Sequence, residues 1–283
     1  MNNEVRENRF TSRGWRTASY IYLAVMLVLL YAPVIVMIRY SFNDSRTNVV
    51  WQGFTTKYYA KLFHDPALWE IFFVTLFIAV CVTLLGTVVG TLGAVGLSRT
   101  RFPGRRIIED FIYFPLVIPE IVLGIALLLL FNFNGIRLGI PTIIIGDTTL
   151  VLPYVFVTVK ARLAGMDPSV EEASIDLGAD RMYTFFHITM PAIMPGVISG
   201  AFMSFSLVLD ELILTSFLAD AATVTLPMKI YSMIKRGVTP EINALTTIIF
   251  VAITVAVVVY LVVSEMKDRK RLREEERRGE AAE

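Results

Sequence analysis

IFFVTLFIAVCVTLLGTVVGTLGAVGL, residues 71–97, carries no Asp, Glu, Lys, Arg or His. At about 1.5 Å of rise per residue such a helix reaches roughly 40 Å, more than the ~30 Å thickness of a bilayer's hydrocarbon core. A buried helix of a soluble domain has no need of so long an uncharged run, so the stretch reads as a transmembrane helix. Four more stretches of similar character lie on either side, at 20–38, 111–133, 193–218 and 244–263. A sixth, 141–159, is interrupted by Gly146, Asp147 and Pro153 but keeps the apolar core LVLPYVFVTV. We count it, because an odd number of spans would separate the basic C-terminal tail from the other basic segments.

Composition agrees. Hydrophobic residues make up 55% of the 283 positions and charged residues 18%, with a mean hydropathy of +0.63. A soluble chain carries about 25% charge, so this one lacks the polar surface to dissolve. The expected fold is all-α: a polytopic membrane protein of six transmembrane helices forming one domain over 20–263. An N-terminal segment (1–19) and a charged tail (264–283) flank it, and a loop at 160–192 joins the fourth and fifth spans. Of the 26 lysines and arginines, 18 fall on the side holding the N-terminus, the 98–110 loop, the 160–192 loop and the tail. The positive-inside rule then puts both termini in the cytoplasm. Arg6, Arg9, Arg13 and Arg16 precede the first span as in a signal peptide, but no small-x-small cleavage site follows, so a retained anchor is expected.

Several function classes drop out. The balance of 26 basic against 25 acidic residues argues against a nucleic-acid binder. The single cysteine, Cys81, excludes an internal disulfide and reads as a buried thiol. His64 and His187 are far apart, so no metal centre is expected. No glycine is followed by lysine, which removes the phosphate-cradling loop of nucleotide hydrolases. G-x-S-x-G and H-E-x-x-H are missing as well. No catalytic residue is assigned, and any energy for moving a solute must come from an ion gradient or another subunit. The tail KDRKRLREEERRGEAAE reads as a solvated helical extension.

The 160–192 loop is the most informative polar segment. Asp167 is suited to cap a short helix with Pro168 at its first position. The run 169–177 follows, and Gly178 suits a left-handed stop. Asp180 can cap a second helix, expected to end near Met190 because Pro191 has no N–H to donate. Met182, Tyr183, Phe185 and Phe186 place large apolar groups on this short element. Loop chemistry alone leaves two readings open: packing on its own bundle, or docking into a groove of a partner.

Glu172-Ala173-Ser174, three residues, Gly178, nine residues, Ile188, one residue, then Met190-Pro191 resembles the EAA motif of ABC importer permeases, E-A-A-x3-G-x9-I-x-L-P. Ser174 and Met190 are the two departures, both modest in volume. In that family the loop forms a coupling helix seated in a cleft of the ATP-hydrolysing subunit. The resemblance therefore implies ATPase coupling through Glu172, Ala173, Ser174, Gly178, Tyr183, Phe186, Ile188 and Pro191. LVLDELILTSFL (207–218) and LPMKIYSMIKRGVTPEINAL (226–245) further resemble the second permease subunit of spermidine/putrescine importers. This implies a bacterial inner-membrane location, a second homologous permease, two copies of an ATP-binding subunit and an external solute-binding protein. ATP and Mg would sit on the ATPase, and this chain would bind no cofactor of its own.

Ionisable groups in hydrocarbon cost about 2.5–3.5 kcal/mol on insertion scales and usually face a bundle interior. Asp210 and Glu211 fall within the fifth expected span, with Ser206 on the same helical face as Asp210 and Glu211 about 100° around the axis. Glu120 is expected near the middle of the third. No basic residue lies inside the spans to neutralise them, which suits a cationic solute. For Glu120, neutralisation by protonation, backbone donors or a partner subunit stays open beside a substrate role. Gly86, Gly90 and Gly93 make a small-residue ridge for helix packing. Trp51, Tyr58, Tyr59 and Trp69 read as an interfacial aromatic belt, with an amine-holding surface as the minority reading. Residues 226–234 read as an interfacial helix. The leading expectation is an ABC-importer permease for a polyamine. Alternatives are the same machine for another small solute, a cation-coupled secondary transporter, and a receptor-like membrane protein.

Overall fold

The computed structural model describes residues 13–45, 50–255, 258, 259, 262 and 266. Among them the chain is helical, apart from turns and one isolated bridge between Asn43 and Phe54. We number the helices α1 (Arg13–Tyr40), α2 (Lys57–Phe63), α3 (Pro66–Arg99), α4 (Arg105–Val117), α5 (Glu120–Phe133) and α6 (Ile140–Ala164). There follow α7 (Pro168–Asp176), α8 (Arg181–Thr184), α9 (Met190–Asp210), α10 (Ile213–Leu218), α11 (Leu226–Lys235) and α12 (Pro240–Val255). Among the described residues four helical stretches are long and apolar enough to cross a membrane, five if the bent pair α4–α5 counts as one. The expected six are compatible with this, since the last span, 244–263, runs beyond the described residues after Val255. Residues 1–12 and most of the tail also lie outside them.

The chain divides into two compact units. In the first (1–65 with 233–283), α1 leads into a turn organised by Asn43. Its side-chain amide donates to Val50 O and its Oδ1 accepts from Gln52 N–H, both at 2.8 Å. Phe42 stacks on Phe54 and Tyr59, and Arg39 lies over Trp51 at 5.3 Å. These aromatic groups of the loop therefore pack on one another and on α1.

In the second unit (66–232), α6 is sandwiched between α3 and α9. Contact is close because glycines on both flanking helices admit the α6 side chains. A Cβ on Gly90 would fall 2.8 Å from Val155 Cβ, and one on Gly200 only 3.0 Å from Val155 Cα. The expected ridge holds at Gly86 and Gly90, while Gly93 meets Phe156 at ordinary contact distance. Val151, Val155, Phe156 and Val159 are completely buried along α6. The fourth span, α6, is longer than the expected 141–159, and of the four long apolar helices among the described residues it is the most enclosed: 56% of its most apolar stretch is buried.

Three expectations require correction. The third span, 111–133, is not one helix: α4 and α5 meet at a 115° bend. Ile118 adopts extended geometry (φ −78°, ψ 135°), as a residue before proline prefers, and Pro119 then starts α5. Glu120 is consequently the first residue of α5, just after the bend, at the helix end whose dipole favours an anion. The fifth span, 193–218, is also broken. α9 ends at Asp210, Glu211 is extended (φ −70°, ψ 117°), and α10 resumes at Ile213. Asp210 and Glu211 therefore do not sit 100° apart on one continuous helix. Finally, the helix opened by Asp180 does not stop at Met190. A π turn over Phe185–Thr189, with Met190 N–H reaching Phe185 O, widens the helix and lets Pro191 occupy the first turn of α9.

Candidate functional site

Two regions of the second unit hold the expected functional residues. At one end is the loop after α6. The Asp167 carboxylate accepts Ser169 N–H at 2.9 Å, and Pro168 opens α7, as the sequence implied. This bond holds the Asp167 carboxyl below its ordinary value. Gly178 closes the helix at φ +90°. Gly178 N–H donates to Ile175 O at 2.9 Å and Ala179 N–H to Ser174 O at 3.1 Å, the paired bonds of a Schellman stop. Asp180 then accepts Tyr183 N–H at 2.6 Å and opens α8.

Ser174, the departure from alanine in the EAA pattern, is buried and bonded to Thr184 Oγ1 at 3.0 Å. Thr184 gives its own proton to Asp180 O at 3.0 Å, so Ser174 is the donor. The hydroxyl thus ties α7 to α8. The remaining motif positions face outward: Glu172, Ala173, Gly178, Tyr183, Phe186 and Pro191 are exposed and Ile188 is half-buried. Val170, Ala173, Leu177, Gly178, Tyr183 and Ile188 line an open apolar groove between the two helices. Leu177 is 90% exposed, Met182 64% and Phe186 57%. Tyr183 stacks on His187 with ring centroids 4.0 Å apart, which stiffens one rim. A largely apolar, solvent-facing concavity is a shape that accepts a protein surface.

Sequence reasoning overlooked Glu171. This neighbour of the motif glutamate is turned into the bundle, accepting from Arg99 Nη2 at 2.6 Å and from Thr189 Oγ1 at 2.5 Å. The signal was present in two adjacent glutamates, which a helix must point about 100° apart.

The second region is the break in the fifth span. Glu211 is buried, and its Oε1 accepts Leu214 N–H at 2.7 Å, capping α10. Asp147 on α6 is only 1% exposed, and its Oδ2 accepts from Thr215 Oγ1 at 3.3 Å. Glu211 lies within electrostatic reach of Asp147, Glu120 and Asp210. Among the described residues no ion pair neutralises any of the four. Glu120, Ser206 and Asp210 are exposed on the unit, whereas Glu211 and Asp147 are enclosed. Phe217 seals α10 against α5 at Gly124, where an added Cβ would lie 2.7 Å from the ring. The structure therefore gathers the three expected acids near one break and adds Asp147. Read in sequence, that residue was only an interruption of a weak span, yet an acid inside an apolar helix is itself a signal.

Residues 83–272 match the family described as the binding-protein-dependent transport system inner membrane component. The chain belongs to that family. Its members are transport permeases of the membrane, which accords with the helices found here. Among its relatives is the spermidine/putrescine transport system permease protein PotC of Escherichia coli K12, 39% identical over 261 residues, covering 92% of this chain and 96% of that one. Another is the putrescine transport system permease protein PotI of the same strain, 38% identical over 274 residues, covering 94% and 96%. In solved structures the chain resembles a subunit of a bacterial ABC transporter involved in importing the acidic polysaccharide alginate. That likeness has a TM-score of 0.69 at 18% identity, over 90% of this chain and 98% of that one. It also resembles a chain of the MetNI methionine ABC transporter, with a TM-score of 0.57 at 20% identity, over 69% and 94%. At such identities the structural likeness establishes the fold alone. The family member described here is thus an all-α, multi-pass permease.

Proposed function

We propose that this permease forms half of the translocation pathway of an ATP-driven polyamine importer. The observation that carries the reading is identity of 38–39%, over more than 90% of each chain, with permeases named for spermidine and putrescine. The acids near the α9–α10 break support it. A linear polyamine carries separated ammonium groups, and Glu120, Asp210 and Glu211, with Ser206 beside them, offer separated acceptors that no lysine or arginine among the described residues pairs with.

In this reading the transmembrane domain covers 20–263, both termini are cytoplasmic in a bacterial inner membrane, and a homologous permease supplies the other half of the path. Two ATP-binding subunits bind ATP and Mg. This chain contributes no nucleotide site and performs no chemistry. Closure of the ATPases pushes on the 160–192 loop through Glu172, the apolar groove and the exposed aromatic rim, and the helices rock between outward and inward openings. A solute-binding protein delivers cargo on the outer side.

The reading is tested by reconstituting the four-component assembly in vesicles and following labelled putrescine and spermidine. Uptake should require ATP, and Asp210→Asn should lower it about tenfold, the effect of losing one charge-assisted contact. Glu211→Gln should lower it less, because Glu211 already spends one oxygen on Leu214 N–H. Uptake by the chain alone, without nucleotide, sinks the proposal. Unchanged uptake in both variants removes the acids from the pathway.

A further inference from the structure

Glu172 is the acid the EAA resemblance assigns to coupling, but it is Glu171 that joins the loop to the bundle. One of its oxygens, Oε1, accepts two bonds at once. Arg99, the last residue of α3, donates from Nη2 at 2.6 Å, and Thr189, the last residue of the π turn, donates from Oγ1 at 2.5 Å. The Arg99 and Glu171 side chains are 33% and 16% exposed, so water screens the pair only partly. Charge-assisted bonds of this kind are short and about twice as strong as neutral ones. α7 is otherwise separated from α3 by more than 60 residues of chain.

The three anchored points lead to different parts of the molecule. Arg99 ends the helix that packs along α6 through Gly86 and Gly90. Thr189 is followed at once by α9, which carries Ser206 and Asp210 to the break. α7 carries the outward-facing Glu172 and part of the apolar groove. A displacement of α7 therefore pulls on α3 and α9 together, because a single carboxylate oxygen binds both.

Resting on the permease reading above, we propose that Glu171 is a positioning residue for transport. It passes movement of the coupling helix to α3 through Arg99 and to α9 through Thr189, while Glu172, about 100° around the helix, meets the partner. Without the clasp α7 still docks, because its caps and its groove are local, but its motion no longer reaches the pathway helices.

The test uses the full assembly in vesicles, with putrescine or spermidine as the solute, and measures solute moved and ATP hydrolysed in the same sample. Wild type must first show ATP-dependent uptake; ATP-independent uptake would end the permease reading itself, whatever the variants do. Given ATP-dependent uptake, Glu171→Gln and Arg99→Gln should each still co-purify with the ATPase. Each should move about tenfold less solute per ATP, the ratio expected from losing a charge-assisted bond of that strength. Thr189→Val should give a smaller loss. The exchanged pair Arg99→Glu with Glu171→Arg should recover most of the ratio, which a simple packing role would not produce. A wild-type ratio in Glu171→Gln overturns the proposal. Loss of ATPase association in Glu171→Gln overturns it too, because the residue would then serve docking rather than transmission.

Discussion

The 160–192 loop and the α9–α10 break are both places where the helical architecture is interrupted and both are capped locally, but only at the break does a buried acid of another helix take part. In the loop nearly every stop and start is satisfied within a few residues: Asp167 to Ser169, Gly178 to Ile175, Asp180 to Tyr183. At the break, the Glu211 cap sits among groups from far along the chain, with Asp147 on α6 bonded to Thr215 on α10, 68 residues away. The loop must keep its shape while presenting an apolar face outward, so its own backbone chemistry fixes it. At the break Glu211 and Asp147 are enclosed, and the bond that Asp147 accepts comes from Thr215 on another helix.

If this contrast is right, the largest effect should come from the break. Glu211→Ala orphans Leu214 N–H in an enclosed site and should cost about 1–3 kcal/mol, the usual penalty for an unsatisfied buried donor. Glu211→Gln keeps an acceptor and should cost far less. Thermal unfolding of the purified assembly in detergent measures both, and equal melting of the two variants would deny Glu211 its capping role. Next comes Gly178→Val. Its φ of +90° strains any branched side chain although the surrounding space is open, at roughly 1–2 kcal/mol for a left-handed residue. Hydrogen exchange should show the opening confined to α7 and α8; spread into α6 would break the comparison.

Thr215→Val removes the donor to Asp147 while conserving shape and should cost about 1 kcal/mol, read in the same melts. Ser174→Ala should cost less, about 0.5 kcal/mol, because Thr184 remains bonded to Asp180 O. The smallest effect is set by pH. Because the Asp167 carboxyl sits below its ordinary value in the fold, its contribution is present above the unfolded value, about 3.9, and is lost as pH falls through the folded one. Acid should therefore loosen the start of α7 in hydrogen exchange, and Asp167→Asn should remove that pH response.

Local chemistry explains what was legible. The caps at Asp167 and Asp180 and the stop at Gly178 occur where the residues imply them, since each depends on atoms two to five positions away. Pro191 misled, because a π turn absorbs it, and the choice between stopping and widening depends on what α9 packs against. Pro119 was visible in the apolar run 111–133, but hydropathy does not register a 115° bend. Asp147 was visible and discounted, although it belongs to the helix most enclosed by its neighbours.

By itself the sequence determined that this chain spans a membrane with helices, which way its charge is biased, and where its EAA-like motif lies. Those properties are sums over residues or bonds between near neighbours. Tertiary structure alone decided that α6, interrupted in sequence by Gly146, Asp147 and Pro153, has 56% of its most apolar stretch buried. It decided too that Glu171 rather than Glu172 grips the bundle, and that Glu211 caps a break beside Asp147. Lipid selects for apolar side chains wherever it touches a helix, whereas a protein interior accepts an acid or a proline once another helix brings the missing partner. Hydropathy therefore measures contact with lipid, and the interior of the bundle is known only when the helices are packed.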